Sequence, residues 1–468
     1  MITLEELRAA ASHTGENSID TVVLGVADMQ GRLQGKRFHA RHFVDTVVEE
    51  GSEGCNYLLA VDVDMNTVDG YAMSSWAGGY GDFAMVPDLS TLRRTPWHPA
   101  TALVLADLAW FDGRPVAASP RQILRTQLDR LAARGLRAFA GTELEFIVYR
   151  DSYEEAWQRG YRELTPANLY NVDYSLLGTA RVEPLLRRIR LEMAGAGLTP
   201  ESAKGECNYG QHEIAFRYAD ALTSADHHVI YKTGAKEIAA QEGMALTFMA
   251  KPNEREGNSC HIHFSLRGLE SGAPVFAAGP EPTGSTDHEP TGSTDDGMST
   301  LMRQALAGIL ATMREFTLWY APNVNSYKRY QPGSFAPTAL RWGTDNRTCA
   351  LRVVGHRAAG LRLENRVPGG DVNPYLALAA MTAGALYGLE NELELEPPHP
   401  GDAYTDTDAP RVPGNLRDAA ELWQNSALAR AAFGDEVVEH YANNARVELA
   451  AFDAAVTDWE LRRGFERL

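Results

Sequence analysis

The stretch Gly141-Thr142-Glu143-Leu144-Glu145-Phe146-Ile147-Val148-Tyr149 constrains this chain more than any other. Read as a β-strand, it alternates faces: Leu144, Phe146 and Val148 share one, Glu143 and Glu145 the other. The apolar face requires a core. The opposite face sets two carboxylates side by side, and neighbouring anions raise one another's pKa unless a cation or an arginine intervenes. Two ordinary glutamates on a solvated strand edge are the alternative reading.

A helix leads into this strand. Ser119 and Pro120 supply an N-cap and a first-turn proline, Ile123, Leu124, Leu128 and Leu131 fall on one face, and Gly135 closes the element. A helix feeding a strand points to an α/β domain. Upstream, strands are expected at 21–28, 57–64, 82–87 and 101–108, with a Gly-bearing hairpin over 29–36, giving a small β-dominated domain that ends near residue 112. The apolar period predicts helices over 3–11, 182–194, 224–242, 298–320, 373–395 and 433–465. The segment 281–287 recurs as 289–295 with almost no apolar side chain, and reads as an exposed, mobile loop.

Net charge narrows the partners. At −18 over 468 residues, the balance argues against a nucleic-acid backbone as the main partner, since binding phosphates needs a basic face, but leaves room for an anionic substrate in a locally basic cleft. Its four cysteines are scattered without a CxxC pair, which fits a reducing compartment. No signal peptide and no apolar run of membrane-span length is visible. The expectation is a soluble cytoplasmic protein with no nucleic-acid or membrane partner.

Four further segments carry chemistry. In Lys204-Gly-Glu206-Cys-Asn-Tyr-Gly-Gln-His-Glu213, a Gly-bounded turn brings two carboxylates toward one point. In Cys260-His261-Ile262-His263-Phe264-Ser265, two imidazoles share a strand face; a hydrogen-bonded pair is the alternative to a metal ligand. Arg362-Leu363-Glu364-Asn365-Arg366 alternates charge with apolar residues, as a salt-bridge ladder or as an anion site around a metal-binding glutamate. Asn325-Ser-Tyr-Lys-Arg329, followed by Gln331-Pro-Gly-Ser-Phe335-Ala-Pro337, reads as a lid or a charged surface loop, with Arg347 and Arg352 beyond it. With the first strand, these supply five glutamates, one or two histidines and several arginines. An oxygen-rich set favours Mg²⁺ or Mn²⁺ over zinc, and arginines beside such ions point to phosphoryl transfer from a nucleotide. The absence of a GxxxxGK[ST] loop argues against a P-loop NTPase.

The order of these motifs (ExE, then E-x6-E with GQHE, HxH-x-S, NSYKR with its Pro-Gly and Ala-Pro, NR, and RxExR with NPYL) resembles the glutamine synthetase family over nearly the whole chain. The resemblance implies an α+β fold, with a β-grasp domain at 17–112 and a catalytic α/β domain at 119–468. It also implies stacked hexameric rings, usually a homododecamer, with ATP and two or three Mg²⁺ or Mn²⁺ ions per site. Carried across, Glu145, Glu206 and Glu213 match the ligands of one metal, and Glu143, His261 and Glu364 those of a second. Arg329 and Arg366 match the arginines that hold the substrate glutamate, where the family's glycine loop contributes Gly257. Arg347, Arg352 and Arg362 match phosphate-side arginines, and Tyr218, His263 and Ser265 match nucleotide contacts; Arg347, Arg329 and Glu364 carry the implied catalysis.

The chain departs from the family where ammonium is received. The lid glutamate before Ala-Pro is Phe335, the aspartate of the DGSS segment falls on Ala72, the glycine-loop asparagine is Glu256, and the adenylylated tyrosine falls on Glu394. An apolar ring covers the carbon body of an amine and cannot hold a small hydrated cation. The expectation is an ATP-dependent γ-glutamyl–amine ligase, similar to the γ-glutamylethanolamide and γ-glutamylpolyamine synthetase branch. Ethanolamine is the first substrate. A polyamine such as putrescine, ammonia, and a catalytically inactive relative are the alternatives, in that order.

Overall fold

The computed structural model describes residues 1–13, 15, 17–278, 297–355 and 360–468. The duplicated segment 281–295 lies outside the described residues. Two sheets organise the rest. The first holds β1 (Thr21–Ala27), β2 (Leu33–His39), β3 (Ser52–Cys55), β4 (Asp82–Arg94) and β5 (Thr101–Ala109), in the order β2-β1-β5-β4-β3. β1 runs parallel to β5, and the other pairs are antiparallel. A helical run over 40–50 buries Phe43 and Val47.

The second sheet has nine strands built around β6 (Leu136–Tyr149). β7 (Pro200–Gly205) pairs with β8 (Gln211–Phe216), and β8 with β6. The short strands β9 (Ala219–Asp220) and β10 (Ala245–Thr247) also pair with β6. On its other side lie β11 (Cys260–Gly268), β14 (Arg362–Asn365), β13 (Leu351–Val354) and β12 (Trp342–Thr344), in that spatial order. The apolar face carries Leu144, Phe146, Ile262 and Phe264, all buried, and the helices Pro120–Ala132 and Ala221–Gln241 pack on β6. The helix Pro374–Glu390 is buried nearly all round, as its apolar circumference demands, and lies against the helix Thr300–Met313. Among the described residues, no helix is long and apolar enough to cross a membrane.

Three expectations change. Segment 57–64 is no strand: a 3₁₀ turn, Asn56–Leu59, occupies its start. Asn56 bonds Met73 O and Ser74 Oγ, and Asp62 accepts from Asn66 N, so side chains close two turns where an apolar run read as a strand. The helix expected over 298–320 divides into Thr300–Met313 and Thr317–Tyr320, with Thr317 Oγ1 donating to Met313 O at the break. The helix expected over 433–465 divides into Asp435–Ala454 and Asp458–Gly464, because Thr457 and Glu460 form a capping box that starts a new helix.

The first sheet is fastened to the second part of the chain by buried polar groups. Arg121, 3% exposed, donates to Asp226 on the helix Ala221–Gln241 and to Asp88 and Asp107 on β4 and β5. Asn373 caps the helix Pro374–Glu390 and donates to the carbonyls of Asp28 and Met29 in the β1–β2 turn. Gly31 in that turn has φ +75°, and a Cβ there would lie 3.1 Å from Asn373 Cα. Arg121→Met leaves Asp226 buried without its counter-charge, and is expected to cost about 3–5 kcal/mol. Urea unfolding of the purified protein reads this directly; an unchanged midpoint would show that the Arg121 cluster contributes nothing net.

Candidate active site

Strand register assembles the polar face. Glu145 stands opposite Glu213 on β8, and Glu143 opposite His261 on β11. His263 stands opposite Glu364 on β14, and Glu364 opposite Arg352 on β13. Residues two apart point the same way, so one face gathers carboxylates, imidazoles and guanidiniums from five strands. Glu206 joins them from the turn after β7. The oxygens of Glu145, Glu206 and Glu213 lie within 4.8 Å of one another, as do ligand atoms of Glu143, His263 and Glu364.

The carboxylates of the first group press on one another. Burial, then the charge of Glu206, pushes Glu145 up to about 8. Burial and neighbouring carboxylates also raise Glu206 and Glu213. This is a site short of positive charge. The second group is better compensated. Burial opposes ionisation of Glu364, yet the neighbouring imidazoles and the guanidiniums of Arg366 and Arg352 hold it down to about 2. Arg352 Nη1 pairs with Glu364 Oε2 at 2.8 Å, and Arg366 pairs with the other oxygen.

The two histidines differ. Arg362 Nε donates to His263 Nδ1 at 3.0 Å, so the His263 proton sits on Nε2 and is donated to Glu143 Oε1 at 2.8 Å. Burial pushes His261 down to about 4, leaving a neutral imidazole. Its Nδ1 lies 3.5 and 3.6 Å from Glu143 Oε2 and Glu364 Oε1, and its Nε2 is buried without a partner among the described residues. Cis ligands around a Mg²⁺ ion with bonds of about 2.1 Å stand about 3 Å apart. The His261–carboxylate spacing is close to that of a shared ion, and the donor set of two carboxylates and a neutral imidazole fits a divalent metal.

A cavity of about 340 Å³ is lined by Glu145, Glu206 and Glu213 together with Glu143, His261 and Glu364, with Gly257, Ser334, Phe335, Arg347, Arg352 and Arg366 on its wall. A Cβ on Gly257 would lie 2.3 Å from Ala250 O, so a side chain does not fit there. A neighbouring cavity of about 190 Å³ holds Tyr218, His263, Ser265 and Arg362. Glu143 lines both. Arg329 lies beneath the wall: it is buried, and donates to Val367 O, Arg366 O and Ser259 Oγ. Arg366 in turn donates to the carbonyls of Arg347 and Phe335, which ties the lid loop to the arginine wall. Phe335 is 57% exposed and adopts φ +58°, a left-handed conformation unusual for a bulky side chain. Several residues of the larger cavity were missed in sequence, among them Asp173, Tyr174, Lys204 and Ser259. Neither Lys204 nor the Asp173–Tyr174 loop had a signal: Lys204 lies near the end of β7 but Glu206 lies in the turn beyond it, where alternation no longer applies, and the loop has no pattern.

Divalent metal must displace protons from the Glu145–Glu206–Glu213 group. Below about 8 the Glu145 proton competes with the ion, and above it the carboxylate is free to bind. Mn²⁺ affinity is therefore expected to rise between about pH 6.5 and about pH 8.5, with protons released on binding. Paramagnetic resonance titration across that range, with calorimetry in two buffers, measures both; a pH-independent affinity would contradict the geometry.

Residues 117–464 match the model of the glutamine synthetase catalytic domain. The γ-glutamylethanolamide synthetase GlnA4 of Streptomyces coelicolor is 67% identical over 465 residues, spanning 99% of this chain and 96% of its own. A glutamate–isopropylamine ligase from a Pseudomonas species is 38% identical, spanning 96% and 95%. Among solved structures, GmaS in complex with ADP superposes with a TM-score of 0.82 at 26% identity, over 99% of both chains. The motif order, the two-sheet architecture and these matches agree, and the chain belongs to the glutamine synthetase family.

Proposed function

We propose that this enzyme is an ATP-dependent glutamate–amine ligase whose acceptor is ethanolamine. The observation that carries the reading is the cavity that joins two carboxylate clusters to an arginine wall and has Phe335, an apolar lid residue, on its lining. Identity to a γ-glutamylethanolamide synthetase and to a glutamate–isopropylamine ligase supports a carbon-bearing amine.

The reaction has two steps. A γ-carboxylate oxygen of glutamate attacks the terminal phosphorus of ATP, and ADP leaves. The neutral amine nitrogen then attacks the acyl carbon of γ-glutamyl phosphate, inorganic phosphate leaves, and the nitrogen gives up a proton. In this reading Arg366 and Gly257 hold glutamate, with Arg329 bracing the backbone of Arg366 from below. Arg347 and Arg352 face the transferring phosphoryl group, where fixed guanidiniums offset developing charge. Tyr218, His263, Ser265 and Arg362 receive the nucleotide in the adjoining cavity. Glu145, Glu206 and Glu213 would hold one divalent ion, and Glu143, His261 and Glu364, with His261 3.5 and 3.6 Å from the two carboxylates, another; Mg²⁺ or Mn²⁺, two or three per site, suits so many oxygens. Bound there, such ions supply Lewis-acid polarisation of phosphoryl oxygens. The lid keeps water from the acyl phosphate.

The same reading places the boundary between a 17–112 β-grasp domain and a 119–468 catalytic domain in the link between β5 and the helix Pro120–Ala132. A homododecamer of two hexameric rings is supported by apolar side chains left exposed at the C-terminus, among them Val456, Trp459, Leu461 and Phe465. A cytoplasmic location is supported by four cysteines that form no disulfide.

The reading is tested by ADP release from glutamate with ethanolamine, putrescine or ammonium, the product identified by mass. Ethanolamine is expected to give the highest kcat/KM, and turnover with ammonium alone would refute it. Phe335→Glu is expected to weaken use of ethanolamine by about tenfold or more, through loss of apolar cover for its carbon body. An unchanged amine preference would reduce Phe335 to a packing role.

A further inference from the structure

The edge strand of the catalytic sheet brings a cation into the carboxylate face. Lys204 on β7 stands opposite Glu213, which stands opposite Glu145. The cross-strand row therefore reads ammonium, carboxylate, carboxylate. The Lys204 ammonium closes on the Glu206 carboxylate as both ion pair and hydrogen bond. It lies 3.9 Å from Asp173 Oδ1 and 4.8 Å from the centre of the Tyr174 ring. All of these side chains line the 340 Å³ cavity, and Lys204 keeps 27% of its own side chain exposed there.

Carboxylates on one side and an aromatic ring on the other form the environment that attracts a small ammonium ion. In this chain the occupant is covalently attached. Its charge pairs with Glu206 and Asp173, so on their side of the cavity a second monovalent cation gains little, while Glu145 and Glu213 stay short of positive charge for a divalent ion. A larger amine depends less on that nest. Its carbon body gains from the rings of Phe335 and Tyr174 on the same cavity, a term that ammonium lacks.

We propose that Lys204 is a specificity-determining residue: its tethered ammonium fills the small-cation position beside Glu206 and thereby excludes free ammonium as nitrogen donor. This rests on the amine-ligase reading above. It adds a repulsive element to the attraction supplied by Phe335, and discrimination is set by the difference between the two donors.

The test compares wild type, Lys204→Met and Lys204→Arg as intact oligomers, with glutamate, ATP and either ethanolamine or ammonium, and both products quantified by mass. Lys204→Met is expected to raise the ratio of ammonium to ethanolamine kcat/KM by about tenfold or more, whereas Lys204→Arg, which keeps the charge, stays near the wild-type ratio. An unchanged ratio in Lys204→Met overturns the proposal and leaves Lys204 as a counter-charge for its neighbours. If Lys204→Met loses turnover with both donors, its melting temperature in ammonium chloride against choline chloride at equal ionic strength decides. A rise of about 2 °C or more in the variant alone supports the proposal, and no rise overturns it. A wild type that uses ammonium and ignores ethanolamine overturns the amine-ligase reading along with it.

Discussion

Charge compensation on the polar face of the catalytic sheet is the constraint on which the rest of this structure depends. Glu143, Glu145, Glu206, Glu213 and Glu364 share one cavity, and each has lost most of its hydration. Buried anions are tolerable only when paired, protonated or bound to a cation. The chain uses arginines at the Glu364 end, histidines between, and one lysine at the Glu206 end. The group around Glu145 remains undercompensated, and its raised pKa values are the signature of a place prepared for an ion.

Rigid apolar packing on the opposite face makes that arrangement possible. Leu144, Phe146, Ile262 and Phe264 anchor β6 and β11 in the core, so the alternate residues cannot relax away from one another. Repulsion that a flexible loop would relieve by moving is here held in place by the sheet. Two arginines extend the organisation outward. Arg366 reaches Glu364, the Arg347 backbone and the lid carbonyl of Phe335 from a single guanidinium. Arg121 does the equivalent for the first sheet, gathering aspartates from β4, β5 and a catalytic-domain helix. A planar five-donor fork suits such multi-way junctions better than an ammonium.

Much of this was legible in the residues alone. Period-two alternation placed Glu143 with Glu145, His261 with His263, and Glu364 with Arg362 and Arg366; the strands bear this out, and Arg366, one residue past β14, pairs with Glu364. Long helices such as Ala221–Gln241 fell within a few residues of their expected ends. The failures came where a local side-chain bond competes with periodicity. Asn56 and Asp62 turned an apolar run into loops, and Thr457 with Glu460 cut one helix in two. Arg329 lies under the wall, donating to the carbonyls of Val367 and Arg366 and to Ser259 Oγ.

The sequence by itself determined which residues share a strand face, because alternation is a property of the extended backbone and needs no partner. It also determined the family, because the motifs occur in a fixed order. Only the tertiary structure decided which faces meet. Register between β7, β8 and β6 put Lys204 in line with Glu213 and Glu145, and a loop with no pattern of its own carried Asp173 and Tyr174 to the same cavity. Distances between side chains on different strands are set by pairing and core packing, which depend on the whole chain at once. For that reason the cation lodged among the carboxylates could be seen only in the folded molecule.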